Sequence, residues 1–462
     1  MIKGAKENIL QAIGDTPIVK LNYLGKGLKS DLYVKLEYLN PGGSIKDRIG
    51  LHIIEEAEKA GEIKPGGTIV EATSGNTGMG LAIAAAIKGY KTIFVMPDKM
   101  SNEKVQNLRA FGAKVVITPT AVAPEDPRSY YCTAARIVKE TPNSFYANQY
   151  HNPKNPETHY QWTGPEIWEQ VGDQIDSVVM GMGTGGTISG IGKFLKEKNP
   201  KIKIIGVDPE GSLYTEFFRT GKLGEAHTYL TEGIGEDFLP STMDFKFVDE
   251  VVQVSDFESL NTTRKLLVRE GIYSGPSSGA AVAGAVKYAA ALEKPESILV
   301  ILPDSGNRYL SKVYSDDWMR ENMMLDTLGF GVIEEVLDHK KNREVITVAP
   351  NESLESVIRK MKTYGISQFP VLEGDNPMGI IGESDLVQPF FEGKVKGSDE
   401  IRQFVRTNFS KLTPKDPVDK LTQVFESGYS CVVMSEGKFV GILTKIDLVS
   451  YLSERIKSKT QG

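Results

Sequence analysis

The chain is short of cysteine, of unbroken apolar sequence and of net positive charge. Its 462 residues include two cysteines, Cys132 and Cys431. They fall in different predicted domains, so neither a disulfide framework nor a cysteine zinc site is expected, and both read as packed thiols. No stretch approaches the roughly 18 apolar residues that a bilayer span needs. Residues 1–10 carry lysines but no apolar signal core, so a soluble, cytoplasmic protein with no membrane partner is expected. The formal net charge is −6, and no stripe of Lys and Arg interleaved with aromatics is present. That argues against a nucleic-acid partner.

Hydrophobic residues make up 40% of the sequence, enough for more than one core, and the length predicts two or three domains. From Lys20 to about Asp304, apolar strand-like runs at 32–36, 68–71, 92–96, 114–118, 177–180, 204–208 and 298–302 alternate with helical patterns. Several are rich in Val and Ile without polar alternation, as expected of parallel strands buried on both faces. The fold class is therefore α/β, with ligands expected at the carboxyl ends of strands.

After Trp318 and Met319 the pattern changes, and 328–343 reads as a short element plus a charged connector. A second domain beginning near Val345 holds an internal repeat. Thr347-Val348-Ala349-Pro350 and Met378-Gly379-Ile380-Ile381-Gly382 in one copy answer to Lys411-Leu412-Thr413-Pro414 and Phe439-Val440-Gly441-Ile442-Leu443 in the other. Each copy reads as strand, helix, strand, strand, helix. Neither unit can bury its own face, so the two are expected to pack together.

Three segments carry the chemistry. In Asn40-Pro41-Gly42-Gly43-Ser44-Ile45-Lys46-Asp47-Arg48 the glycines allow a tight turn, and apolar Ile49, Ile53, Ile54 and Ala57 place Lys46 at the start of an amphipathic helix. There the helix dipole disfavours an ammonium ion and keeps the amine ready to attack an aldehyde. Thr73-Ser74-Gly75-Asn76-Thr77-Gly78 follows at a strand end. Gly181, Gly183, Thr184, Gly185, Gly186 and Thr187 lie where an apolar strand runs into a helix, so backbone N–H groups there can cradle an anion. The spacing of Gly181, Gly183 and Gly186, with Asp208 about twenty residues on, also fits a dinucleotide fingerprint. That second reading leaves the Lys46 and Asn76 segments without a role.

On these residues the chain resembles the fold-type II pyridoxal-phosphate enzymes, the family of the cystathionine β-synthases and O-acetylserine sulfhydrylases, from about Gly14 to Met319. The resemblance implies two parallel-sheet subdomains, as in the β subunit of tryptophan synthase, within a catalytic domain at 1–328. It implies pyridoxal phosphate held by Lys46 as a Schiff base, with its phosphate on Gly183, Thr184, Gly185, Gly186 and Thr187. Asn76 is implied at the cofactor 3′-oxygen and Ser277 at the ring nitrogen, with Ser278 as the fallback. Asp208 receives no catalytic role. Thr73, Ser74, Thr77 and Gln149 are implied in gripping the substrate carboxylate.

Three further segments resemble the cystathionine β-synthase branch: Glu232-Gly233-Ile234-Gly235-Glu236-Asp237-Phe238, Asn148-Gln149-Tyr150 and Ser315-Asp316-Asp317-Trp318-Met319. Tyr150 is implied at the second-substrate mouth. Glu236 stands where some members carry tyrosine, and reads either as a loop acid or as a group that tunes the leaving group. The implied reaction condenses L-serine with L-homocysteine to L-cystathionine and water, with hydrogen sulfide release from cysteine as a related activity. A cysteine synthase using O-acetylserine and sulfide is the alternative within this chemistry, and a ligand-sensing protein with a degenerate catalytic domain is the alternative outside it. Animal members add an N-terminal heme segment with Cys and His ligands. The residues before Thr16 include neither, so heme is not expected, nor is a metal site.

The repeat pair resembles a tandem of CBS domains at 344–462, with copies at about 344–395 and 408–458 after a 329–343 linker. The resemblance implies an adenosine-bearing regulator, S-adenosylmethionine or an adenine nucleotide, at Ser384, Asp385, Thr444 and Asp447. Both aspartates also sit where a helix cap belongs, and many such pairs serve assembly. A homodimer or higher homo-oligomer is implied.

Overall fold

Runs of Val and Ile become the strands of two largely parallel sheets. The computed structural model describes residues 2, 4–123, 125–325, 331–340, 345–393, 395–418, 420–435 and 437–460. They divide into two units, Met1–Leu325 and Asp326–Gly462.

The first unit contains β1 (Ile18–Lys20), β2 (Asp31–Leu36), β3 (Thr68–Ala72), β4 (Lys91–Pro97), β5 (Lys114–Thr118), β6 (Ser144–Tyr146), β7 (Ser177–Gly181), β8 (Lys203–Pro209), β9 (Glu250–Val254) and β10 (Ser297–Leu302). One sheet has the order β5-β4-β3-β6, all parallel. The other has the order β1-β2-β10-β7-β8-β9 and is parallel except for β1, which pairs antiparallel with β2. The seven expected strands are all present. The three not foreseen, β1, β6 and β9, lie at sheet edges, and β1 and β6 have three residues each. Edge strands bury one side only and leave a weak apolar signature.

The site is positioned by two helices, α1 (Lys46–Ala60) and α2 (Asn76–Lys88). They cross at Gly50 and Gly80 with their backbones in contact. A Cβ added at Gly50 would meet the main chain of Gly80 and Leu81, and one at Gly80 would meet the main chain of Lys46 and Asp47. This close approach brings the first residues of both helices, Lys46 and Asn76, to the same cleft. Ile49, Ile53 and Ile54 of α1 share a core with Leu81 and Ala84 of α2 and Ile69 of β3.

In the second unit the repeats comprise β11 (Gln368–Glu373), β12 (Asn376–Gly382), β13 (Phe409–Leu412), β14 (Ser430–Ser435) and β15 (Lys438–Leu443), with helices Leu354–Tyr364, Glu383–Phe391, Lys420–Glu426 and Lys445–Thr460. The strand expected at 347–350 is reduced to a single parallel bridge, Val348 to Val371. The repeats pack on one another through Ile380, Val432 and Ile442. Within the segment read as a connector, the helix Ile333–His339 buries Ile333 and Val336 in the core of the second repeat, while Ile401 completes that of the first.

Candidate active site

Lys46 opens α1 at the wall of a cleft that Asn76, Gly183, Thr184, Gly185, Thr187 and Ser277 also line. Three segments far apart in sequence thus meet around one amine. Burial lowers the Lys46 pKa to about 8, against the opposing pull of Glu236 and Asp304. At neutral pH about a tenth of the amine is therefore in the neutral form that a nucleophilic lysine needs, far more than at the ordinary lysine value.

Opposite the amine, β7 ends in the glycine loop and the helix Gly186–Lys198 begins. Gly185 takes a φ of +84°, and a Cβ there would meet Met243. A Cβ at Gly186 would collide with the Asn155 amide, which itself donates to Thr184 Oγ1 at 3.0 Å and to the Gln149 carbonyl at 2.8 Å. Thr187 Oγ1 lies 3.2 Å from Nε2 of the buried His159, and Tyr214 donates to the Gly183 carbonyl at 2.6 Å. No acidic residue stands in the first turn of this helix, so bare N–H groups and two hydroxyls face the cleft, a donor set suited to a phosphate dianion. The rival ribose acid, Asp208, is buried and accepts from the amide and hydroxyl of Thr215 at 2.8 and 2.7 Å. It caps a helix.

At the other end, Ser277 is buried at the start of the helix Pro276–Ala291 and lies 3.5 Å from Asp304 Oδ1. Ser278, one position on, is buried, and its hydroxyl has no hydrogen-bond partner among the described residues. Asp304 follows β10 and organises this end: it accepts from Asn76 Nδ2 at 2.8 Å and from Tyr309 at 2.5 Å. Arg308 in turn donates to Asn76 Oδ1 and to the Gly42 carbonyl. Neither Asp304 nor Arg308 was singled out from sequence. The available signal was an acid just past the carboxyl end of a buried parallel strand.

The Thr73–Thr77 loop is held mostly by its own side chains. Thr73 Oγ1 accepts from the Gly75 and Gly78 amides at 2.9 and 3.2 Å. Gly75, at φ +124°, turns the chain into α2, and Ser74 is half-buried. Thr77 donates to Gln149 Oε1 at 2.6 Å, and Gln149 Nε2 donates to the Ala72 carbonyl at 3.3 Å. Behind this pair lies a further unforeseen residue, Glu71 in β3. It accepts from the amides of Asn148 at 2.6 Å and Gln149 at 3.2 Å. Asn148 is left-handed, with φ +47°, so Glu71 braces the turn that presents Gln149. A lone acid inside an otherwise apolar buried strand was its only trace in the sequence.

Tyr150 is buried, with its hydroxyl 3.3 Å from that of Tyr130. Phe238 packs on Tyr131 and Tyr150 with ring centroids 5.4 and 5.3 Å away. Glu236 is half-buried beside this cluster. In the second unit, Asp385 Oδ2 accepts from the Gly382 amide at 2.7 Å and the side chain pairs with Arg406 at 2.8 Å. Asp447 accepts from the Thr444 amide and hydroxyl at 2.8 and 2.6 Å and pairs with Lys340 at 3.2 Å. Both aspartates thus act as helix caps, each with a basic partner, and Ser384 is exposed.

A buried lysine with a lowered pKa, a helix N-terminus free of acids where Gly185 and Gly186 leave no room for a Cβ, and a buried serine lining the same cleft fit the aldehyde, phosphate and ring nitrogen of pyridoxal phosphate. The family described as pyridoxal-phosphate dependent enzyme matches residues 9–304, and the CBS domain matches residues 333–391 and 401–454. A cystathionine beta-synthase from Saccharomyces cerevisiae is 37% identical over 97% of this chain and 98% of its own length. The corresponding protein of Oryctolagus cuniculus is 40% identical over 97% of this chain and 85% of its own. The solved structure of an O-acetylserine dependent cystathionine beta-synthase from Helicobacter pylori is 40% identical, covers 67% of this chain and 99% of that one, and superposes with a TM-score of 0.62. The chain belongs to the pyridoxal-phosphate dependent enzyme family and, over nearly its whole length, to the cystathionine β-synthases within it.

Proposed function

We propose that the protein is a pyridoxal-phosphate dependent lyase that replaces the β-hydroxyl of L-serine with the thiol of L-homocysteine, giving L-cystathionine and water. The observation that carries this is the convergence of Lys46, the 183–187 cradle and Ser277 on one cleft in a chain similar end to end to cystathionine β-synthases. Bound pyridoxal phosphate supplies the electron sink that weakens the bonds at Cα and Cβ.

The chain's own residues do the rest. Lys46 anchors the cofactor, takes the Cα proton once its amine is released, and returns it at the end. The glycine loop with Thr184 and Thr187 holds the phosphate, Asn76 is braced by Asp304 and Arg308 at the ring, and Ser277 meets the ring nitrogen with a neutral hydroxyl. An uncharged partner weakens the sink and favours elimination and replacement over transamination. Thr73, Ser74, Thr77 and Gln149 bind the substrate carboxylate, and Tyr150 and Glu236 border the second substrate.

A second reading, O-acetylserine as the first substrate, is favoured by the Helicobacter pylori relative. The test offers the loaded protein serine plus homocysteine and, separately, O-acetylserine plus sulfide, with products read by mass spectrometry. Cystathionine at the greater catalytic efficiency is expected; cysteine from O-acetylserine alone would overturn the assignment. Resemblance further supports a homodimer or higher homo-oligomer. On the same ground its CBS pair takes S-adenosylmethionine or an adenine nucleotide at Ser384, Asp385, Thr444 and Asp447, a reading that calorimetry with each ligand tests.

A further inference from the structure

Serine presents a leaving group that needs a proton, and the loop 232–238, which lines the cleft through Gly233 and Ile234, carries an acid. Glu232, at its start, is neutralised by Lys104 at 2.5 Å and Lys312 at 2.6 Å. Among the described residues, no hydrogen bond or ion pair engages the Glu236 carboxyl, while its main chain is pinned on both sides. Its amide donates to Ser212 Oγ at 3.1 Å, its carbonyl accepts from Leu213 at 3.1 Å, and the Gly235 amide donates to the Met182 carbonyl at 2.6 Å. Gly233 and Ile234 of the same loop line the cleft with Lys46, and Phe238 anchors the far end against Tyr131 and Tyr150.

The charges that act on the carboxyl are those of Lys46, Lys99 and Asp237, and the carboxyl in turn acts on the phenols of Tyr130, Tyr131, Tyr150, Tyr214 and Tyr229. We propose that Glu236 donates the proton on which the β-hydroxyl of serine departs as water, and recovers it from the incoming thiol. This deepens the β-replacement reading and rests on it.

The step balances. Lys46 removes the Cα proton, and the electron pair left behind forms the Cα–Cβ double bond as the Cβ–O bond breaks and its pair leaves with oxygen. The Glu236 proton joins that oxygen, completing water and leaving a carboxylate. The thiol S–H proton passes to this carboxylate, and the sulfur pair forms the Cβ–S bond. The double-bond pair returns to Cα, which regains the proton held by Lys46. Glu236 ends as it began, a neutral acid. Burial, reinforced by the Asp237 charge, holds its pKa up to about 8 against Lys46 and Lys99, so it is loaded with its proton at neutral pH.

O-acetylserine needs no such acid, because acetate leaves unaided. In Glu236→Gln, a near-isosteric change, kcat for serine plus homocysteine should fall about a hundredfold or more, and at least about tenfold further than kcat for O-acetylserine plus homocysteine. The serine KM should change little. In the wild type, kcat with serine should fall as pH rises through about 8, and kcat with O-acetylserine should not. A readout apart from turnover is the infrared band of a protonated carboxyl in the cofactor-free protein. It should weaken above that pH and be smaller in Glu236→Gln, where the remaining intensity belongs to the buried Glu71 carboxyl. Equal losses with both donors, no loss with serine, or a band unchanged by the substitution would each overturn the role. Absence of both cystathionine and cysteine from the wild type with either donor would remove the β-replacement reading itself, and the role of Glu236 with it.

Discussion

Glu71 braces the turn that presents Gln149, the residue proposed to hold the substrate carboxylate. Burial raises its pKa to about 8, against the pull of the Gln149 and Asn148 amides that hydrogen-bond to it. A carboxyl raised this far keeps its proton in the folded protein where the unfolded chain has lost it. Between the ordinary carboxylate value of about 4.3 and about 8, the native state therefore binds more protons, and stability falls as pH rises. In Glu71→Gln that fall should be shallower, which thermal unfolding over this pH range will show. The glutamine amide offers one acceptor where the acid offers two, so the Asn148 turn should loosen. The serine KM is expected to rise severalfold, with a smaller change in kcat.

Lys46 carries the opposite sign. With its pKa lowered to about 8, the rate at which cofactor-free protein takes up pyridoxal phosphate should climb as pH approaches about 8 and level off above it, because only the neutral amine attacks. Lys46→Ala should abolish the borohydride-reducible adduct; an adduct retained in that variant would refute the assignment of the amine. The motif residues that line the cleft were legible because glycine, lysine and hydroxyl side chains in fixed spacing announce a cradle. Glu71, Asp304, Asn155 and Arg308 were not. Each acts by touching another functional residue across the fold, and no local spacing encodes that.

Among the elements, the crossing of α1 and α2 sets the geometry of the whole cleft. At Gly80 an added Cβ meets the main chain of Lys46, and at Gly50 the main chain of Gly80, so no side chain can swing aside. Gly80→Ala should cost about 1–3 kcal/mol by overpacking and also weaken cofactor retention, since the helix start that carries Lys46 must shift. Gly61→Ala provides the contrast. It lies at the carboxyl end of α1 at φ +71° with nothing within 4 Å of the new Cβ, so it should cost about 1 kcal/mol through backbone strain alone and leave cofactor binding intact. Urea unfolding and a cofactor titration on both variants separate the two effects. The sequence declared α1 through its apolar spacing and seven strands through their unbroken apolar character. It was silent on β1, β6 and β9, whose edge positions depend on neighbours rather than composition.

At the scale of the whole molecule, the second unit binds together pieces that its repeat pattern keeps apart. The internal repeat was visible in the paired sequence blocks, but the start of the folded module was not. Residues 331–340, within the segment read as a short element plus a charged connector, complete the second repeat. Ile333 and Val336 lie in a core with Leu421, Val424 and Tyr451, and Tyr451 donates to Glu335 at 2.8 Å. The main chain joins in, with the Ile333 amide donating to the Asp416 carbonyl and the Val418 amide to that of Gly331. A fragment beginning at Gly331 should therefore fold as the module does in the full chain, whereas one beginning at Val345 leaves that core open on one side. Burying two such aliphatic side chains stabilises by about 3–6 kcal/mol, a large share of the stability of a domain this size. The shorter fragment should unfold at markedly lower urea and bind a hydrophobic dye, and the loss should fall on the second repeat, because the first is closed by Ile401 from within the fragment. Equal stability of the two fragments would mean that the 333–339 helix is an attached cover rather than part of the core.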